Sequence, residues 1–340
     1  MWTGDAFLER LYVEAGLTRA AAAAGLPPDL RRERLLESVK ESLGAWERQS
    51  EIGCSVMEEE SECDGYSRSR VELSVVPDLS FGAYILKPAG AAGKLPGVIA
   101  VHGHGYGSRQ ICGMQANGAK TVGKPDIHNQ FAVQLVRRGM IVIAPDVIGF
   151  GERRMQADVD RDADAPSSCY RMATQLLMLG RTLTGLRVAE MLGALEAFAG
   201  MREVDPERIG IVGFSGGALI AFLTAALDTR LRASVLIGFP NTFKDSIMAV
   251  HHCVCNFTPG VLTQAELPEL MGLIAPRPLF LESGERDPIF PAAGFLRAAD
   301  DLRSIYRSRQ AEEALSFDLF PGGHEVSGRR SFDWLKDRLS

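Results

Sequence analysis

The chain has 340 residues, 46% hydrophobic and 24% charged, values of an ordinary packed protein that exclude a disordered, collagenous or coiled-coil chain. Lys and Arg number 37 against 43 Asp and Glu, a formal net charge of -6, so the basic footprint of a nucleic-acid binder is missing. Six cysteines scattered from Cys54 to Cys255 are too few for a disulfide scaffold in a chain this long and read as mostly reduced thiols.

The first residues carry Asp5 and Glu9 where a signal peptide needs a basic start and an apolar run, so a cytoplasmic location is expected. Phe7, Leu8, Leu11, Tyr12 and Ala15 fall at helical spacing, and Leu30, Leu35, Leu36 and Val39 resume it after a Gly/Pro break. Residues 1–50 are therefore a predicted N-terminal helical extension, and 51–340 the main domain. Alternation at 71–76 and 83–86 predicts a hairpin. Beyond it, strand-like runs at 97–101, 140–144, 209–214, 233–237, 278–281 and 315–319 alternate with helical patterns near 128–138, 175–199, 218–227 and 292–307. Strand and helix repeated in this way predict an α/β fold with a mostly parallel sheet covered on both faces. Residues 209–227 carry no charge and are long enough for a membrane span, but Gly210, Gly213, Ser215, Gly216 and Gly217 read instead as strand, sharp turn and helix. Two long connections, 152–172 and 240–276, are predicted to shape the pocket.

Gly213-Phe214-Ser215-Gly216-Gly217 is a G-x-S-x-G pattern at a predicted strand-to-helix turn. Such a turn lifts the serine hydroxyl above the sheet, and flanking glycines remove the Cβ clashes that would block it. A serine hydroxyl needs a base, and the base an orienting acid. His324 follows the strand 315–319 in a Gly-Gly-His loop and is the predicted base. Asp287 follows the strand running on to Ser283 and is the favoured acid, with Glu285 as runner-up; Glu282 lies inside the strand, and Asp146 precedes the nucleophile and reads as a structural turn. The predicted oxyanion donors are the amides of Gly216 and of His104 in His102-Gly103-His104-Gly105, while His102 is expected to make structural hydrogen bonds.

Around these residues the chain resembles the α/β-hydrolase superfamily over about 70–340, and within it the acetyl xylan esterase-like and dienelactone hydrolase-like serine esterases. The resemblance rests on Lys94-Leu95-Pro96-Gly97 leading into the His102 to Gly105 loop, Gly180-Arg181-Thr182, and Val204-Asp205-Pro206-Glu207-Arg208-Ile209-Gly210 before the elbow. Ala275-Pro276-Arg277-Pro278 and the final Gly-Gly-His complete it. It implies an α/β-hydrolase fold, a Ser215, Asp287, His324 triad with donors Gly216 and His104, no cofactor, and a small-molecule ester as partner. The leading substrate it implies is a small acyl ester, such as acetyl on a carbohydrate. Carbon-carbon bond hydrolysis of a diketone and peptide hydrolysis use the same triad. A non-catalytic binding protein would have no reason to keep all these residues together.

Tyr106, Arg109, Phe214, Phe257 and Tyr170 are further candidates for substrate contact. His251, His252, Cys253 and Cys255 hold metal-ligating side chains but lie within five residues without a second half-site, so no metal is expected and small buried side chains at the pocket wall are the preferred reading. Asp158, Asp160, Asp162 and Asp164 imitate a calcium loop without its glycine and final glutamate, and read as a solvated loop. A homo-oligomer is left open by the sequence.

Overall fold

The computed structural model describes residues 2–90 and 92–340. Among the described residues nine strands form one sheet: β1 (Gly53–Cys63), β2 (Tyr66–Val76), β3 (Leu79–Pro88), β4 (Leu95–Val101), β5 (Ile141–Pro145), β6 (Val204–Phe214), β7 (Leu231–Ile237), β8 (Leu279–Gly284) and β9 (Leu315–Phe320). Their order is β1-β2-β3-β5-β4-β6-β7-β8-β9. Pairings among β1, β2, β3 and β5 are antiparallel, and every pairing from β5 through β4 to β9 is parallel. The predicted mostly parallel sheet is therefore present, extended by an antiparallel edge.

Apolar side chains on the two faces of the sheet feed two cores. One joins Leu73, Ile99, Ile211 and Leu281 to the helices Leu183–Ala199 and Gly216–Leu227; the other joins Val98, Val142, Val212 and Phe280 to Phe131–Val136 and Ser331–Arg338. Alternation of Ile211 and Val212 between the two cores follows from the period of two in a strand, and each such buried side chain contributes roughly 1.5 to 3 kcal/mol. The helical pattern 175–199 forms two helices, Cys169–Met178 and Leu183–Ala199, because Gly180 takes φ 69° and Thr182 caps the second by accepting from the Gly185 amide. β1 was not predicted: its run of glutamates has no apolar alternation, and ten of its eleven residues are exposed. Charge along an exposed edge discourages pairing with other chains.

The N-terminal extension forms helices Asp5–Ala23 and Pro28–Leu43. The first lies against the 240–276 connection, with Tyr12 donating to Glu266 and Arg19 to the Leu262 carbonyl. The second buries Val39 and Leu43 in the core. Among the described residues no helix is long and apolar enough to cross a membrane.

Of the calcium-like run, Asp160, Asp162 and Asp164 are exposed as expected, whereas Asp158 lies in the helix Gln156–Arg161, is buried and accepts from Arg171 and Arg161. Nearby, Arg153 donates two bonds of 2.8 and 2.6 Å to Glu190, whose side chain is 2% exposed. Removing one partner of a buried pair strands the other charge. Glu190→Ala is expected to destabilise the fold by about 3 to 5 kcal/mol in urea unfolding, and Glu190→Gln by less, since it keeps an acceptor.

Candidate active site

The parallel strands deliver their C-terminal ends to one edge, as open α/β sheets do. At the end of β6, Ser215 takes φ 54° and ψ -127°, a conformation that costs a non-glycine residue about 1 to 3 kcal/mol. The turn closes because its neighbours have no side chains: a Cβ on Gly217 would run into the carbonyls of Val101 and His102, and one on Gly213 into the backbone of Gly217. The end of β4 and the start of the helix Gly216–Leu227, far apart in sequence, thus pack backbone to backbone at the turn.

The Ser215 hydroxyl donates to His324 Nε2 at 3.0 Å, and His324 Nδ1 donates to Asp287 Oδ2 at 2.7 Å. Ser215 is 8% exposed and the Asp287 side chain is fully buried, while the imidazole keeps 15% of its surface open. The other oxygen of Asp287 accepts from the amides of Ile289 and Phe290 at 2.8 and 3.0 Å, which locks the carboxylate plane. His324 lies between Phe214 and Phe290, with ring centroids 5.0 and 5.7 Å away.

Two buried carboxylates that could compete for the acid role are engaged elsewhere. Glu282 accepts from the amides of Ser327 and Gly328 and from the Ser331 hydroxyl, so it anchors the chain just beyond His324. Asp146 accepts from the Ser108 amide and hydroxyl and pairs with Arg70. Burial pushes the Glu282 carboxyl above its ordinary value of 4.5. With the folded value raised, the folded state holds this proton more tightly than the unfolded chain does. The contribution is complete below about pH 4.5 and is lost as pH rises toward the folded value. Urea midpoints measured from pH 4.5 upward are expected to fall less steeply in Glu282→Gln than in the parent.

The loop after β4 lies beside the elbow, since a Cβ on Gly216 would stand 3.3 Å from the His104 ring. Beneath it, His102 donates from Nδ1 to the Gly103 carbonyl and accepts the Val147 amide at Nε2, and burial pushes its pKa down to about 4. The expected structural role of His102 is what the fold contains.

The remaining candidates divide. Phe214 is 1% exposed and forms the floor under His324, so it is a buried support and not a pocket wall. Arg109 pairs with Glu152 and donates to the Tyr84 hydroxyl and the Ala116 carbonyl, while the Tyr106 hydroxyl donates to the Met114 carbonyl. Both hold the rim together. Phe257 is 41% exposed and lines an apolar recess of about 150 Å³ with Phe243, Ile247 and Met248. Tyr170 is exposed on the surface.

Asn256 and Phe290 have no signal in the sequence, and His252 reads there only as part of the 251–255 run at the pocket wall. Asn256 lies beside Gly216, donates to His252 Nε2 at 2.6 Å and sits in a segment whose sequence has no periodicity to place it. Desolvation first, then the neighbouring His104 and His324, push His252 down to about 4. The 251–255 run also departs from its sequence reading. His251 is exposed and His252 is bonded to Asn256, but Cys253 and Cys255 meet His104 and Cys169 from distant segments, and the four ligand atoms lie within 4.8 Å of one another.

A G-x-S-x-G elbow on a mostly parallel sheet, with histidine and acid on later strand ends, defines a serine hydrolase of carboxylic esters with the α/β-hydrolase fold. The model of the dienelactone hydrolase family matches residues 81–325, and the chain belongs to that family. A Bacillus subtilis (strain 168) protein called "Putative hydrolase YtaP" is 28% identical over 245 residues, covering 71% of this chain and 77% of that one. Among solved structures, a Bacteroides fragilis NCTC 9343 protein titled a "putative acetyl xylan esterase" aligns with TM-score 0.72 at 18% identity, over 87% of this chain and 77% of that one. The glucuronoyl esterase from Solibacter usitatus aligns with TM-score 0.67 at 13% identity, over 91% of each chain. At these identities the structural likeness speaks for the fold.

Proposed function

We propose that this protein hydrolyses a small acyl ester, with acetyl on a carbohydrate or similar small alcohol as the leading substrate, through an acyl-enzyme on Ser215. The observation that carries the reading is the unbroken hydrogen-bond chain from the Ser215 hydroxyl through His324 to buried Asp287, at 3.0 and 2.7 Å. His324 takes the hydroxyl proton as Oγ attacks the ester carbonyl, and Asp287 stabilises the imidazolium that forms. The amides of Gly216 and His104 receive the developing oxyanion. Collapse of the tetrahedral intermediate breaks the ester bond, and His324 returns the proton to the departing alcohol. Water then attacks the acyl-enzyme with the same base, and the carboxylic acid leaves.

A small acyl group is supported by the crowding at Gly216, where the His104 ring and the Asn256 amide stand 3.3 and 3.5 Å from a hypothetical Cβ. A polar alcohol is supported by the hydrogen-bonded pair of Asn256 and His252, of which Asn256 stands beside Gly216. The test is covalent labelling with a fluorophosphonate, followed by a panel of p-nitrophenyl esters, acetylated sugars and diketones. Labelling at Ser215 with preference for acetyl esters is expected. A folded protein that resists the probe, or that cleaves only diketones, refutes the proposal.

A further inference from the structure

Outside the Ser215 chemistry, one cluster has no task. His104, Cys169, Cys253 and Cys255 converge from the oxyanion loop, the end of the 152–172 connection and the middle of the 240–276 connection. We propose that these four side chains form a Cys3His site for a soft divalent cation, zinc, which clamps both long connections to the loop that carries the His104 amide.

Geometry supports the donor set. Zinc takes four ligands tetrahedrally, with Zn–S near 2.3 Å and Zn–N near 2.0 to 2.1 Å, which places neighbouring N and S ligands about 3.6 Å apart. His104 Nε2 and Cys255 Sγ are 3.5 Å apart, and all four donor atoms fall within 4.8 Å, so small rotamer adjustments close the tetrahedron. Cys169 and Cys255 are buried, which keeps competing water away, while His104 and Cys253 retain some exposure and offer a route of entry.

Charge supports it independently. Three thiolates and a neutral imidazole around a divalent ion leave one net negative charge. Arg187 is 3% exposed, and its guanidinium donates to Cys169 Sγ at 3.2 Å and to the Ile148 carbonyl. Among the described residues no carboxylate pairs with it. A buried arginine needs an anionic partner, and a thiolate-ligated metal site supplies it. Its guanidinium also stacks 4.9 Å over Phe150, whose ring meets His104 edge-on, so cation, aromatic ring and ligand are held in one packed unit. Binding releases the thiol protons to solvent and leaves the His104 backbone amide free for its separate role.

Protein purified under reducing conditions is expected to contain about one zinc per chain by mass spectrometry of the metal. Exchange for cobalt is expected to give the intense visible absorption and near-ultraviolet charge-transfer bands of a tetrahedral thiolate site, a readout that needs no variant. Cys169→Ser is expected to lose the metal. Folded parent protein that stays metal-free after reconstitution with zinc, cobalt bands of the weak octahedral type, or a disulfide within the cysteine trio overturns the proposal. None of these readouts involves ester turnover, so their failure and that of the esterase reading are distinguishable.

Discussion

Ser215→Ala is expected to lower kcat for ester hydrolysis on the order of 10^4- to 10^6-fold while leaving KM within a few-fold of its parent value. The proposed nucleophile is lost, yet the Gly216 and His104 amides and the pocket wall stay in place, so substrate still binds and a residual rate above that of water persists. Folding is expected to survive. Alanine suffers the same strain as serine at φ 54°, the backbone bond from the Ser215 amide to the Ile237 carbonyl is untouched, and the lost hydroxyl leaves a histidine that keeps 15% of its surface open to water. Steady-state kinetics on an acetyl ester, with urea unfolding as a control on the fold, decide it. Retention of more than about a tenth of the parent kcat would show that the reaction runs through another group.

Most of what positions this site could be read along the chain, and the parts that could not share one cause. The parallel strands declare themselves as short Val, Ile and Leu runs because burial on both faces demands apolar side chains at every position. The elbow declares itself because only glycine fits where β6 turns against the carbonyls of Val101 and His102. Asp287 and His324 follow from lying in the loops just beyond the ends of β8 and β9, on the edge where Ser215 stands. The failures lie where partners are remote in sequence and the intervening chain has no period. Cys169 and Cys253 are 84 positions apart by their numbers, and His104 lies further still from Cys255, so a ligand search by local spacing finds only half of each donor pair. Phe214, a candidate for substrate contact, packs instead in the core beneath the imidazole, a placement set by the fold and not by any local pattern. Asn256 carries no pattern at all, and only the fold brings it to Gly216.

Asp287→Asn is expected to reduce kcat by about 10^4 with little change in stability, and the local hydrogen bonds dictate why. One carboxylate oxygen accepts from the amides of Ile289 and Phe290, and the other accepts from His324 Nδ1. An asparagine in this position has one acceptor oxygen and one donor nitrogen. Two amide donors claim the oxygen, so the side-chain NH2 is turned toward His324. A donor facing Nδ1 requires that nitrogen to be unprotonated, which moves the imidazole proton to Nε2. That proton then points at Ser215, where the parent imidazole presents a lone pair at 3.0 Å, and the base can no longer accept the hydroxyl proton. The amide caps survive and no buried charge is stranded, so the urea midpoint is expected to stay close to that of the parent. Fluorophosphonate labelling of Ser215 is expected to slow in parallel with kcat, because both steps need the same proton transfer. A variant that keeps a parent-like labelling rate while losing turnover would place the acid's role after acylation and refute the tautomer argument.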